Sequence, residues 1–320
     1  MDELRYRFPG EAFVVLNGSF SEVESFDGLQ GFVLADHGGN KKYQFQKGAV
    51  SEKSQETVAM PHVLSQEEYL ERGNQFLSNL KAQGIEKAVF SRIKQVTLDI
   101  DPELAFELLE KAYPSAFVYL IRSQKLGTWI GATPEVLANF INGTFSTVAL
   151  AGTLPADSTE VWTEKEAREQ QAVTDFIQDT ASNFSQHIQV SERREIIAGP
   201  VRHLRTEITF PFDQEKLWEL IDVLHPTPAV SGLPVESALE LIRAYEAHDR
   251  KLYSGYLGLI EEARVRLFVN LRCGEWIGDH FYLYLGGGYN DRSIVEKEWE
   301  ETENKSRTLL NILQKGSFDQ

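Results

Sequence analysis

Phe281-Tyr282-Leu283-Tyr284-Leu285-Gly286-Gly287-Gly288-Tyr289, followed by Glu298-Trp299-Glu300-Glu301-Thr302-Glu303-Asn304-Lys305, joins a strand to a helix through glycine. The alternation of residues 281–285 has the period of a half-buried strand, and apolar spacing over 294–314 predicts a helix. Three consecutive glycines predict a turn whose bare amides approach a ligand closely and hold a carboxylate or phosphate. On the helix, Glu298, Glu301 and Lys305 fall at i, i+3 and i+7 and share one face. The plainer reading is a strand, a loose turn and a solvated acidic helix.

A second stretch repeats the arrangement. Glu166 and Glu169 lie one turn apart in a helix whose apolar stripe is Ala172, Val173, Phe176 and Ile177. Two helices bearing E-x-x-E pairs bring up to four carboxylates together, which repel in an apolar setting unless a cation bridges them. Oxygen ligands select a hard ion such as Mg²⁺, which keeps waters and uses one or two carboxylates plus substrate oxygens. Against this, 48 acidic residues scatter such pairs over solvated helices by chance.

With 320 residues, 42% hydrophobic and 25% charged, the chain can bury one large core or two moderate ones. A net charge of −16 without a Lys/Arg cluster argues against nucleic acid or an anionic membrane as partner. An anionic substrate would need a local reversal of field, by a metal ion and placed cations such as Lys87, Arg272 and Lys305. The acidic N-terminal stretch predicts no secretory or transit signal, and no apolar run has membrane-spanning length. The lone Cys273 excludes an intrachain disulfide and is consistent with a reducing cytoplasm; it reads most simply as a buried strand residue.

Glycine-punctuated alternation over residues 1–60 predicts short antiparallel strands. Helices are expected at 65–80, opened by a Ser65/Glu68 capping box, and at 101–112, 163–188, 213–224, 234–246 and 294–314. Strands are expected at 88–100, a hairpin at 116–130, and strands at 136–141, 144–151, 196–208, 255–261, 264–273 and 280–285. The pattern is that of one α+β domain over residues 1–320, with large, mostly antiparallel sheets and helices packed outside.

Five further blocks accompany the two acidic helices: Lys87-Ala88-Val89-Phe90-Ser91-Arg92; Gly131-Ala132-Thr133-Pro134-Glu135; Leu150-Ala151-Gly152-Thr153; the run from His225-Pro226-Thr227-Pro228-Ala229 through Val230-Ser231-Gly232-Leu233-Pro234; and Val269-Asn270-Leu271-Arg272. Together they span residues 87–305 and resemble the chorismate-utilising enzymes, the family of anthranilate synthase component I, aminodeoxychorismate synthase, salicylate synthase and isochorismate synthase. The part before Lys87 is less characteristic and looks short for that family, as does the loop from Pro155 to Trp162.

The resemblance gives these residues roles. Lys87 opens a half-buried strand, where desolvation or a nearby cation would make it a base; alone it reads equally as an edge-strand lysine. Family members that add water carry lysine here. Glu135, after Pro134 and among few polar neighbours, matches the general acid, with a surface-turn glutamate as the plainer reading. The resemblance places Gly152, Thr153, His203, Ala229 and Val230 in the substrate cleft. Arg272, projecting from the strand 264–273, would hold the enolpyruvyl carboxylate with Tyr253 and amides near Gly286 and Gly288, and Lys305 is a further substrate-binding residue. Glu169 and Glu301 would carry the metal, supported by Glu166 and Glu298.

The H-P-T-P-A segment resembles isochorismate synthases, whereas aminating members have a different segment ending in lysine. Two positions depart from the pattern: Gln170 stands where many relatives have histidine, and Ser231 where many isochorismate synthases have glycine. The resemblance therefore implies a Mg²⁺-dependent isochorismate synthase acting on chorismate, for menaquinone or siderophore synthesis, with no obligatory protein partner. Salicylate synthase is the nearest alternative; an aminating enzyme and a non-catalytic chorismate-binding protein are further ones.

Overall fold

A computed structural model describes residues 1–49, 59–198 and 201–318. In chain order the strands and helices are β1 (Asp2–Arg7), β2 (Val14–Val23), β3 (Gly31–Ala35), β4 (Lys42–Lys47), α1 (Gln66–Ala82), β5 (Lys87–Thr97), α2 (Pro102–Ala112), β6 (Phe117–Ser123) and β7 (Gly127–Thr133). They continue with β8 (Val136–Ile141), β9 (Thr144–Pro155), α3 (Glu164–Ser182), β10 (Gln189–Val190), β11 (Arg194–Ala198), β12 (Val201–Pro211), α4 (Leu217–Leu224) and β13 (Gly232–Leu233). The last are α5 (Val235–Tyr245), β14 (Tyr256–Glu261), β15 (Arg264–Val269), β16 (Cys273–Ile277), β17 (His280–Asn290) and α6 (Val295–Phe318).

All the strand pairings are antiparallel. One arm of the sheet runs β13-β5-β17-β16-β7-β6-β1-β2. The other runs β3-β14-β15-β8-β9-β12, with β10 and β11 on its edge. β4 pairs with both β2 and β3 and so makes the sheet continuous.

Side-chain alternation shows how the arms are stacked. On β6, Phe117, Tyr119 and Ile121 join one apolar cluster, while Val118 and Leu120 join another with residues of α2 and α6. On β15, Phe268 joins the first cluster, while Val265, Leu267 and Val269 pack with α3 and α4. The arms therefore face each other, Phe117 stacking on Phe268 with ring centroids 4.8 Å apart, and helices cover both outer faces. Such strands are apolar on both sides, which is why β6 reads Phe-Val-Tyr-Leu-Ile without alternation. α1 and α5 close the end of the first arm over β5 and β17.

Several expectations change. The three glycines form no turn: β17 runs through them, with Gly286, Gly287 and Gly288 opposite Ser91, Phe90 and Val89 of β5. The strand expected at 264–273 is two strands, because the chain leaves the second arm after Val269 and enters the first at Cys273. The strand expected at 196–208 is likewise β11 and β12, and its residues 199–200 lie outside the described part, as do 50–58 of the N-terminal reading. Helix α3 ends at Ser182, and a 3₁₀ turn (Gln214–Lys216) precedes α4. Among the described residues no helix is long and apolar enough to cross a membrane.

Candidate active site

The chain crosses between the arms at two adjacent places, Pro134-Glu135 after β7 and Asn270-Leu271-Arg272 after β15. The crossings are tied together. Val269 N donates to Glu135 O (3.0 Å), Thr133 Oγ1 to Val269 O (2.6 Å) and Ala132 N to Arg272 O (3.1 Å). Arg272 has φ +47°, a left-handed conformation uncommon for a non-glycine residue. It is thus not on the polar face of a strand, as the sequence suggests, but on a kink between two.

These crossings form one wall of a cleft enclosing about 650 Å³, solvent at its mouth included. Lys87, Glu135, Gly152, Thr153, Glu169, His203, Ala229, Val230, Tyr253, Arg272, Gly286, Gly288, Glu301 and Lys305 all line it. Every catalytic and substrate-contacting residue expected from the sequence, and two of the four metal-ligand candidates, therefore meet in one place. Val89, Pro134, Leu150, Ala151 and Leu271 complete the lining.

Lys87 lies between two strands, opposite Leu233 of β13 and Asn290 of β17, so it is not an edge-strand lysine. Its Nζ pairs with Glu169 Oε1 at 2.8 Å. Burial raises the Glu169 carboxyl, but Lys87, Lys305 and Lys165 outweigh it and hold the group below its usual value. Glu135 has no such hydrogen bond. Its burial pushes the carboxyl up to about 7 against the opposing pull of Lys87, Arg272 and Lys305. The cleft thus holds one carboxylate kept charged and one carboxyl poised to carry a proton near neutrality.

His203 is fixed by a bulge. Gly152, with φ +72°, and Thr153 stand opposite the single residue His203 between β9 and β12. The bulge brings Gly152 O to 2.8 Å from His203 Nδ1, which makes Nδ1 the protonated nitrogen. Nε2 then accepts from Arg272 Nη2 at 3.3 Å. Burial and the Arg272 charge push His203 down to about 3, so the ring is neutral. Among the described residues no carboxylate pairs with Arg272, leaving a half-buried guanidinium facing the cleft.

The glycines serve by absence of side chain. A Cβ on Gly286 would stand 2.6 Å from the Tyr253 hydroxyl and 3.0 Å from Val89 Cγ1. One on Gly288 would stand 2.9 Å from Glu169 Oε1. On the other face, Gly287 lets α6 approach until a Cβ there would be 3.3 Å from Glu298 Oε2. Instead of an amide cradle, β17 offers a carbonyl: Lys305 Nζ donates to Gly286 O (2.8 Å) and pairs with Glu301 Oε1 (2.6 Å).

The four metal-ligand candidates separate. Glu169 and Glu301 reach the cleft, whereas the Glu166 carboxylate accepts from Thr163 N (2.9 Å) and closes the capping box of α3. Glu298 is 1% exposed, bonded through Oε1 to Ser293 (2.7 Å) and Lys165 (3.3 Å), with Oε2 buried and unpartnered. Burial, then the neighbouring Glu301, pushes it up to about 7. Among the described residues, no three side chains form a closed ligand set. An open site fits a hard cation that takes few carboxylates and completes its shell with water or substrate, and the orphaned Glu298 oxygen beside Glu301 is what such a cation would satisfy.

Two contributors escaped the sequence reading. Lys165 faces Glu298, Glu301 and Glu169, all of which raise it against the lowering effect of burial. Its place on the Glu166/Glu169 helix was the available signal. Arg250 is 3% exposed and bonded in two places to Glu246, while Nη1 donates to Val230 O and Nη2 to Val89 O, each at 2.8 Å. Glu246 also accepts from Ser91 N (2.7 Å). This pair ties β5, carrying Lys87, to the Val230 wall. Their spacing of four was visible, but they lie beyond the end of α5, where no pattern marks a site.

Known proteins resemble this chain in sequence and in fold. Isochorismate synthase EntC of Escherichia coli K12 is 30% identical over 247 residues, covering 71% of this chain and 62% of its own length. Isochorismate synthase DhbC of Bacillus subtilis is 26% identical over 292 residues, covering 84% and 73%. The chain thus spans about three fifths of the EntC length. In fold, the menaquinone-specific isochorismate synthase MenF of Escherichia coli superposes with TM-score 0.84 at 18% identity, covering 98% of this chain and 89% of that one. Anthranilate synthase component I of Streptococcus pneumoniae TIGR4 gives 0.72 at 16%, covering 96% and 89%. The family model described as chorismate binding enzyme matches residues 10–314, and the chain belongs to that family.

Proposed function

We propose that the protein is a Mg²⁺-dependent isochorismate synthase acting in the cytoplasm without an obligatory protein partner. The observation that carries this reading is the meeting of Lys87, a Glu135 carboxyl pushed up to about 7 and an uncompensated Arg272 in one cleft. The names of EntC and DhbC support it, and Lys87 with the H-P-T-P-A segment favours water over ammonia as nucleophile.

Arg272 holds the side-chain carboxylate of chorismate, and Tyr253 and Val230 bound the ring. Lys87 takes a proton from water as the oxygen bonds to C2. Both ring double bonds shift, C1=C2 to C1=C6 and C5=C6 to C4=C5, as the C4–O bond breaks, and Glu135 gives its proton to the departing hydroxyl, which leaves as water. Glu169 and Glu301, with Glu298 in support, would hold Mg²⁺, which when bound offsets the charge of the ring carboxylate and fixes its orientation. His203, neutral and bonded to Gly152 O, keeps the Arg272 guanidinium in place.

Elimination of pyruvate after the same step, as in a salicylate synthase, would use the same residues. Incubating purified protein with chorismate and Mg²⁺, with and without EDTA, and identifying the products by chromatography tests reaction, metal and branch together. Isochorismate formed only without EDTA is the expected result. Salicylate with pyruvate would move the protein to the other branch, and absence of turnover would refute the reading. Use of the product in menaquinone or siderophore synthesis is tested by deleting the gene and supplying isochorismate-derived products.

A further inference from the structure

Beside the cleft lies a second cavity, which shares Pro134 and Arg272 with it. It encloses about 1040 Å³, solvent at its mouth included. Its walls are largely apolar, with Pro9, Ala116, Val136, Ile196 and Phe268, and Ile197, 65% exposed, stands among the lining residues. The polar groups are few. Arg272 has no carboxylate partner among the described residues, Arg205 has only a surface pair with Glu207 at 3.4 Å, and the Thr308 hydroxyl is buried without a partner.

Apolar walls with one or two placed cations suit a flat hydrocarbon ring bearing one anionic group. Arg205 and Arg272 supply the complementary charge, and a guanidinium binds a carboxylate through two parallel bonds. We propose that this cavity binds a small aromatic carboxylate, its ring against Val136, Ile196 and Phe268 and its carboxylate on Arg272. The occupant and the substrate therefore compete for one guanidinium. Aromatic acids are what a cyclohexadiene carboxylate becomes on losing a substituent, so the site would make the enzyme responsive to products of later aromatising steps. The competition rests on the chorismate reading of the cleft; the binding does not.

The test uses benzoate as probe and benzamide as its uncharged analogue, titrated calorimetrically into the whole protein, with chorismate kinetics in parallel. Benzoate is expected to bind, and benzamide about tenfold or more weaker, since loss of the charged partner costs at least that factor. Benzoate should raise the KM for chorismate and leave kcat unchanged. Val136→Trp puts a bulky ring where the benzoate ring would lie and Ile197→Asp places a like charge at the lining; each should weaken benzoate about tenfold while the KM for chorismate stays within about twofold. Ile197 is exposed, so its variant folds even where the Val136→Trp protein does not. Equal binding of benzamide, or benzoate binding unchanged in the folded variants, would overturn the proposal. Benzoate binding in a protein that does not turn over chorismate would sustain the site while removing the assigned reaction.

Discussion

Lys87 Nζ lies 2.8 Å from Glu169 Oε1, and both groups press against Gly288, where a Cβ would stand 3.3 Å from Lys87 Cε and 2.9 Å from the Glu169 oxygen. A strand, a helix and a glycine distant in sequence thus build one ion pair at the base of the cleft. The pair explains how a protein of charge −16 keeps a cation in place for an anionic ligand.

Lys87→Ala removes both the proposed base and the partner of Glu169. General-base contributions are commonly about 10²- to 10⁴-fold, so kcat for isochorismate formation should fall by that range while chorismate binding changes little. Single-turnover kinetics with an independent binding measurement check it; normal turnover would refute the role.

The acid role proposed for Glu135 requires its protonated form. With its carboxyl pushed up to about 7, activity should fall as pH rises through about 7, and Glu135→Gln should abolish turnover at every pH. The same group affects stability. Its folded value lies above the ordinary 4.5, so the folded state binds the proton more tightly and stability falls as pH rises from 4.5 to about 7. The loss amounts to about 3 kcal/mol, and Glu135→Gln should flatten it, as read by denaturant unfolding across that window.

Glu169→Gln and Glu301→Gln should each raise the Mg²⁺ concentration needed for half-maximal activity by about tenfold or more. Glu166→Gln should leave that requirement unchanged, because its carboxylate serves the α3 cap. Magnesium titrations of the three variants decide between them, and a shift in Glu166→Gln equal to the others would contradict the assignment.

Gly286→Ala should cost about 1–3 kcal/mol and raise the KM, because its Cβ meets the Tyr253 hydroxyl at 2.6 Å. Removing that hydroxyl with Tyr253→Phe should recover part of the stability in the double variant, a coupling that thermal or denaturant unfolding measures.

The sequence alone carried the α+β class and most element positions, because side-chain periodicity is local, while the identity of the cleft residues came from the family resemblance of its motifs rather than from any periodic pattern. Three readings failed or stayed open, and one contact was never read, for a common reason. The glycines 286–288 look like a turn when only chain neighbours are considered; β5 on one side and α6 on another are what make them a strand. Arg272 reads as a strand residue until the chain is seen to change arms at 270–272, since apolar alternation does not record which sheet a residue joins. Glu166 and Glu169 have equivalent helical spacing, yet one caps its helix and the other meets Lys87, a choice made by the distance of each turn from β5. The Glu246–Arg250 clamp has a spacing of four but lies past the end of α5, where that spacing marks no site. Local sequence determined what each segment becomes; which charges are left buried, paired or free was decided only by packing, because burial and electrostatic partners belong to the whole fold.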